Sequence, residues 1–173
     1  MIRLAATFAM LTAPAFAADP AWQNMIAETD SSAQDADPES QLIEGFMVCA
    51  LAGRDAETAA ANLGLYGWTH EPAEGGIIMA LPGVGGDTFA ILDMDGGFCD
   101  VTSLSIGTNR AAEIMATSLQ YSGLSSISQD TDAAGCTRIL IGEATATLTD
   151  GRDPPACASP TTATVHYTYT ATD

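Results

Sequence analysis

The sequence predicts an α+β fold in which an antiparallel sheet of about five to six strands packs against two or three helices, stapled by two disulfides. Three observations predict it. Apolar residues recur with helical spacing before residue 65 and after residue 109. They alternate with a period of two over much of the rest of the chain, and four cysteines are present. Packing the helices on one face of a single sheet is the simplest way to bury the apolar residues of both patterns.

The first residues carry the pattern of a secretory signal peptide. Arg3 precedes an apolar segment at residues 4–11, and residues 15–17 read Ala-Phe-Ala, the small-x-small pattern of a cleavage site. The apolar segment is much shorter than the roughly 20 residues that a membrane-spanning helix needs. We therefore expect residues 1–17 to be a signal peptide and the protein to be soluble and located in the periplasm.

After this signal, the sequence predicts a helix and polar linker at 18–37 and a single α+β domain at 38–173. Asp19 and Asp37 each precede a proline, and aspartate followed by proline is typical of a helix start. The helix after Asp37 places three apolar residues on one face: Leu42, Phe46 and Cys49. Asp55 predicts a further short helix that ends near residue 64 or 67.

Three strands are predicted next, over residues 77–81, 88–94 and 98–106. The last two form a hairpin, because an Asp-Gly-Gly turn separates them. Two registers are open. If the loop is 95–96, Leu92 pairs with Cys99, whereas a loop at 96–97 pairs Leu92 with Val101. In either register Cys99 lies on the apolar face of the hairpin.

The second half of the chain repeats this alternation of helix and strands. Asn109 is predicted to cap a helix that ends at Gly123, and residues 125–135 are predicted to be a polar linker. Further strands are predicted over residues 137–141 and 144–149 and in the last part of the chain, at 164–170. That last strand alternates strictly between valine or tyrosine on one side and threonine or histidine on the other.

Four cysteines in an exported chain predict disulfides, and four cysteines allow three pairings. Cys49 faces the core from a helix that packs over the sheet, so it can reach Cys99 on the third strand. Cys136 and Cys157 would then close the ends of the C-terminal segment. No Cys-x-x-Cys pair is present, which argues against a redox site of the thioredoxin kind.

The charge balance limits the classes of partner. The chain has five arginines, no lysine and 22 acidic residues, with a formal net charge of −17. Such a surface repels phosphate backbones and anionic lipids, so we expect neither nucleic acid nor a membrane as a partner. A basic periplasmic protein fits this charge. The sequence does not indicate an oligomeric state, and it contains no cofactor-binding motif.

Carboxylates near the hairpin turn are candidate metal ligands, because calcium binds several carboxylate oxygens together. The candidates are Asp93, Asp95 and Asp100. An EF-hand loop starting at Asp93 would require glycine where Phe98 stands and glutamate where Leu104 stands. A β-turn at the Asp-Gly sequence therefore explains these aspartates better than a calcium site. A calcium-dependent binding module is kept as an alternative.

Catalysis by histidine is the other alternative. His70 lies in a loop-like stretch, and His166 lies on the polar side of the last strand. Neither belongs to a metalloprotease or serine-hydrolase motif. An envelope hydrolase could still assemble a histidine-based site in space, since such sites are defined by geometry. Ordinary surface histidines are the favoured interpretation, and no catalytic residue is assigned.

The polar face of the hairpin also carries three large apolar residues: Phe89, Ile91 and Phe98. If a helix or the C-terminal strands cover them, they belong to the core, which is the favoured interpretation. If they are exposed, they form an apolar patch rimmed by carboxylates, as in a protein-binding site.

Three short patterns, Phe46-x-x-Cys49, Gly67-Trp68-Thr69 and Phe98-Cys99-x-Val101, occur before the helix predicted after residue 109. In this combination the chain resembles uncharacterised small exported proteins of alphaproteobacteria over about residues 42–120. The resemblance implies a location in the envelope and the Cys49–Cys99 pairing, and it implies no activity. The function expected from the sequence is that of a non-catalytic binding or accessory module with an acidic surface.

Overall fold

The structure, a computed structural model, describes residues 37–83, 86–121 and 127–170. These residues form three helices: α1 (Pro38–Ala52), α2 (Ala56–Leu65) and α3 (Thr108–Tyr121). They also form eight strands: β1 (Thr69–Ala73), β2 (Ile77–Leu81), β3 (Thr88–Asp93), β4 (Phe98–Ser103), β5 (Ile127–Thr131), β6 (Thr137–Ile141), β7 (Ala144–Thr149) and β8 (Ala163–Tyr169). The predicted α+β class is confirmed, and the sheet has eight strands rather than five to six.

All eight strands belong to one antiparallel sheet with the order β1-β2-β3-β4-β8-β7-β6-β5. Each half of the sheet is a meander of four strands that are consecutive in the chain. The two meanders meet only where β4 pairs with β8, from Phe98 opposite Thr168 to Ser103 opposite Ala163. The last strand of the chain therefore lies in the middle of the sheet.

The two strands that the sequence analysis missed are the two edges of the sheet. All five residues of β1 are exposed, and Pro72 lies within it. Proline and the lack of a buried face remove the alternation by which strands are recognised, and both are common at sheet edges. The other edge, β5, lies within the predicted polar linker. Only Ile127 of this strand is partly buried, so its sequence shows no apolar alternation.

The hairpin of β3 and β4 adopts the first of the two predicted registers. Leu92 pairs with Cys99, and Ala90 pairs with Val101. The strands are shorter than predicted, since β3 ends at Asp93 and β4 ends at Ser103. The side chains of β3 alternate between buried and partly exposed along the whole strand, as the period of two requires.

Aspartates cap the first two helices, as predicted. The Asp37 carboxylate accepts hydrogen bonds from the backbone N–H groups of Glu39 and Ser40, at 3.3 and 3.2 Å. Asp55 accepts one from the N–H of Thr58 at 2.9 Å. The third predicted helix is also present, but its predicted cap is wrong, because Asn109 lies within α3, which begins at Thr108. The predicted signal peptide, the helix after Asp19 and the residue Gly123 lie outside the described residues.

The core lies between the helices and one face of the sheet. Fully buried side chains from both layers meet there, among them Leu42, Phe46, Leu92, Val101 and Tyr167. Helix α1 lies so close to β4 that a Cβ atom added at Gly45 would stand 2.6 Å from Cγ1 of Val101. The hydroxyl of Tyr167 donates a hydrogen bond to the carbonyl of Phe46 at 3.0 Å, which joins β8 to α1 as well.

Both disulfides form with the predicted pairing. Cys49 of α1 is bonded to Cys99 of β4, and Cys136 is bonded to Cys157. The first disulfide crosses the core from helix to sheet, and both of its cysteines are buried. The second links the start of β6 to the loop between β7 and β8. Each disulfide stays within one half of the sheet.

Candidate interaction face

The sheet has a second face, on the side away from the helices. Helix α1 packs against β3, β4 and β8, and it also contacts α2 and α3, so the three helices form one layer. Their side of the sheet is the side of Cys99 and Val101. Residues that alternate with these two point the other way. We call this second side the open face, since no helix of the described residues covers it.

The three apolar residues of the predicted patch lie on the open face. Phe89, Ile91 and Phe98 are each partly exposed and are not part of the buried core. None of the three described helices covers them, because all three lie on the opposite side, and the C-terminal strands belong to the same sheet. Partial exposure of all three residues on this face is what the second interpretation, an apolar patch at the surface, requires.

Neighbouring strands enlarge this patch. Met79 of β2 pairs with Ile91, and Ile77 of the same strand pairs with Asp93. Leu81, at the end of β2, is 40% exposed. We use the name apolar strip for the six large apolar side chains that β2, β3 and β4 place on the open face: Ile77, Met79, Leu81, Phe89, Ile91 and Phe98. The residues of β2 were not part of the predicted patch, because their alternation in the sequence does not show which face of the sheet they share with the hairpin.

Carboxylates lie on both sides of the apolar strip. The pairing of β1 to β4 aligns Glu71, Met79, Ile91 and Asp100 in one row across the sheet. Two acidic residues therefore flank two apolar ones in this row. Asp93 lies in the next row, opposite Ile77. Glu71 was not singled out from the sequence, because the strand that carries it was not recognised.

The candidate metal ligands do not converge. The Asp93 carboxylate accepts hydrogen bonds from the backbone N–H groups of Asp95 and Gly97, at 3.2 and 2.9 Å, as in a turn. Asp100 instead contacts a histidine on β8. Within the described residues, the one group of three potential ligands within mutual reach contains Asp132, Cys136 and Cys157. Its two sulfurs are joined in a disulfide, so they offer no thiolate.

Asp100 and His166 form the most polar contact of the open face. Nδ1 of His166 lies 2.5 Å from Oδ1 of Asp100, across the junction of β4 and β8. The imidazole also stacks on the ring of Phe98, with 5.8 Å between ring centroids. The hydrogen bond to Asp100 raises the pKa of His166 above its usual value. No signal in the sequence could have paired these residues, because the order of β4 and β8 does not follow the chain.

The two histidines lie on different sides of the molecule. His70 belongs to β1, where it is exposed and borders a groove between α2 and the edge of the sheet. The groove is also lined by Glu57, Ala60, Pro72 and other small or apolar residues. His70 and His166 alternate onto opposite faces of the sheet and therefore do not share a site.

Threonines cover the part of the open face next to the apolar strip. Thr145 pairs with Thr168, and Thr149 pairs with Thr164. The hydroxyls of Thr102 and Thr164 are 2.9 Å apart, and both residues are buried. The loop between β7 and β8 lies against Thr164, so close that a Cβ atom added at Gly151 would collide with the Thr164 hydroxyl. This end of the face is thus partly covered, whereas no helix in the described part of the chain covers the apolar strip.

All four arginines of the described residues are engaged locally. Arg110 binds Glu39 and Glu113, Arg138 binds Asp130, and Arg152 binds Asp150. Arg54 donates a hydrogen bond to the carbonyl of Gly96 at 3.2 Å. Most carboxylates have no arginine to balance them, so the surface of the protein is strongly acidic.

One carboxyl is buried away from the open face. Glu44 of α1 is 4% exposed, and Nε1 of Trp68 donates a hydrogen bond to it at 2.9 Å. Burial raises the pKa of the Glu44 carboxyl. The contact links α1 to the residue that precedes β1, and it positions the edge of the sheet under the helices.

Comparisons with protein-family models, with curated proteins and with solved structures find no match to this chain. Among the described helices, none has the length and apolar character required to cross a bilayer.

The Asp100–His166 contact gives a testable dependence of stability on pH. Because the folded pKa of His166 is raised, the charged pair stabilises the fold fully below the unfolded value of about 6.5. This contribution is lost as the pH rises through the folded pKa. We expect wild type to lose up to about 1 kcal/mol more than His166→Gln between about pH 6 and about pH 8.5, since the pair is partly exposed.

Urea unfolding of both proteins at the two pH values measures this difference, because the other titrating groups are common to both. His70→Gln is the matched control, since His70 is exposed and lies on the other face. Its pH dependence should follow that of wild type. If the free energy of unfolding changed equally with pH in wild type and His166→Gln, the contact would not form in solution.

Proposed function

We propose that this protein is a non-catalytic binding module of the bacterial periplasm and that its open face binds a basic protein. The observation that carries the proposal is the apolar strip, which has Glu71 and Asp100 at its sides and no helix over it among the residues that the structure describes. An antiparallel sheet normally buries one face and hydrates the other with polar side chains. Six large apolar side chains on the uncovered face depart from this pattern, and such patches are typical of protein-binding sites.

The location is supported by two features of the chain. Its first 17 residues have the pattern of a signal peptide, and all four cysteines are paired in disulfides. Disulfides of this kind persist in oxidising compartments such as the periplasm. Proteolytic release of residues 1–17 during export, measured by mass spectrometry of the native protein, is the direct test.

The sign of the charge supports a basic partner over a second copy of this chain. The net charge is −17, and the described arginines are held by local contacts. Two copies facing each other across the open face would bring carboxylates together, which is unfavourable. A basic protein would gain from the same carboxylates, and charge attraction would also speed its association.

We expect Ile91→Ser to weaken binding of the partner at least tenfold, about 1.4 kcal/mol, as for a residue at the centre of an interface. Leu140→Ser is the matched control. Leu140 is also a partly exposed apolar residue, and it lies on the open face, but in β6, away from the apolar strip. Affinity capture from periplasmic extract with the three proteins, followed by titration of the purified partner, measures the effect.

Two results support the proposal together: a basic protein captured by wild type and Leu140→Ser but not by Ile91→Ser, and binding that weakens as salt is raised. Salt screens attraction between exposed charges, with a Debye length of about 10 Å at 0.1 M and about 3 Å at 1 M. A partner that binds all three proteins equally would place the interface elsewhere. A partner whose affinity is unchanged at high salt would contradict the electrostatic part.

An envelope hydrolase is the second candidate, and the Asp100–His166 contact is the observation that favours it. A carboxylate that accepts a hydrogen bond from Nδ1 orients an imidazole so that Nε2 can act as a base. Turnover of ester, amide or glycoside substrates by wild type and His70→Ala, with loss in His166→Ala, would support this activity. Turnover that persists in His166→Ala, or none in wild type, would reject it.

A further inference from the structure

The dimensions of the apolar strip match those of a single helix. The strip spans three adjacent strands, and strands are about 4.8 Å apart, so it is about 10 Å wide. An α-helix with its side chains is about 10–12 Å in diameter. Along β2 the strip runs from Ile77 to Leu81, or about 13 Å. A helix covers that length with about nine residues, or two and a half turns.

Carboxylates are placed where the flanks of such a helix would lie. Glu71 and Asp100 stand in the same row, separated by three strand spacings, or about 14 Å. Lysine and arginine side chains can lie along an apolar surface and extend their charged ends past it. Cations on the two flanks of a helix could therefore reach Glu71 on one side and, on the other, Asp100, which also binds His166.

Backbone hydrogen bonding favours a helix over an extended peptide. Strands β2, β3 and β4 are each paired on both sides, so their N–H and C=O groups are used within the sheet. An extended peptide on the open face would find no backbone partners there, whereas strand addition requires a sheet edge. A helix satisfies its own backbone groups and needs only side-chain contacts.

We infer that the open face binds a cationic amphipathic helix of the partner. The inference rests on the proposed function and specifies its ligand. The apolar stripe of the helix packs on Met79, Ile91 and Phe98, and its lysine or arginine flanks lie beside Glu71 and Asp100. The threonine-covered part of the face, next to β7, stays outside the contact.

Two synthetic peptides of about 18 residues test the inference, since that length gives about five helical turns. Both contain equal numbers of leucine and lysine with blocked ends, so their charge and composition are the same. One places leucine at i, i+3, i+4 and i+7, and the other alternates leucine and lysine. We expect the helical pattern to bind wild type at least tenfold more tightly, by calorimetry, and to gain helical circular dichroism on binding.

Variants of the protein locate the contact. Ile91→Ser should remove the preference for the helical peptide, whereas Leu140→Ser should keep it. Glu71→Gln should weaken the helical peptide about two- to fivefold, and Glu74→Gln, an exposed residue outside the strand, should not. Equal affinity for both peptides, or equal loss in Ile91→Ser and Leu140→Ser, would overturn the inference. The proposed function would survive that result if the captured partner still required Ile91.

Discussion

Removal of the Cys49–Cys99 disulfide by a double alanine replacement is expected to lower the free energy of unfolding by about 4 kcal/mol. The bond closes a loop with a sequence separation of 50, and the cost of closing such a loop in the unfolded chain grows with its length. Both sulfurs are also buried against the core, so their loss removes packing contacts as well. A loss of this size is a large part of the about 5–15 kcal/mol that stabilises a typical domain.

The double alanine replacement of Cys136 and Cys157 is the matched control. This pair has a sequence separation of 21 and closes a shorter loop, so we expect a smaller loss of about 3 kcal/mol. Urea unfolding of wild type and both variants measures which disulfide contributes more to the free energy of unfolding. An unfolding midpoint for the first variant equal to that of wild type would show that the helix layer does not depend on its bond to β4.

Gly45→Ala is expected to destabilise the protein by about 1–2 kcal/mol, although alanine favours a helix over glycine by about 0.5–1 kcal/mol. The reason is the close approach of α1 to β4. A Cβ atom at Gly45 would stand 2.6 Å from Cγ1 and 3.1 Å from Cγ2 of Val101. Val101 is fully buried, and its branched side chain has little freedom to rotate away.

Two further variants separate this contact from helix propensity. Gly64→Ala lies in α2 with no atom within 4 Å of the added Cβ, so it should stabilise the protein by up to about 0.5–1 kcal/mol. In a Val101→Ala background, Gly45→Ala should cost less than in wild type, because the colliding methyl groups are gone. A stabilising Gly45→Ala would mean that α1 lies farther from the sheet than described.

Local signals in the sequence predicted much of the fold. The Asp37 and Asp55 caps depend only on neighbouring residues, and both were predicted correctly. The hairpin register followed from a short turn, with Leu92 opposite Cys99 as one of two options. The disulfide pairing followed from placing Cys49 on the buried side of a helix, since only a helix over the sheet could bring it to β4.

The remaining features depend on contacts between distant parts of the chain. Edge strands such as β1 have no buried face, so the period of two that reveals a strand is absent. Alternation showed that Ile91 and Leu92 point to opposite faces, but it could not show which face the helices cover. The contact between Asp100 and His166 requires β8 to pair with β4, and that order is a property of the whole sheet.

The junction of β4 and β8 is the place in the sheet where the first four strands of the chain meet the last four. Neither disulfide crosses it, so opening it would need no thiol chemistry. Six backbone-paired residues on each strand hold it, together with the side-chain contacts Asp100–His166 and Thr102–Thr164. Helix α1 packs on both strands, and the hydroxyl groups of Tyr167 and Tyr169 donate to its carbonyls. A main-chain cut between α3 and β5 would therefore yield two internally oxidised fragments, and their reassembly would report on this junction together with the packing of α1 and α3 on the C-terminal strands.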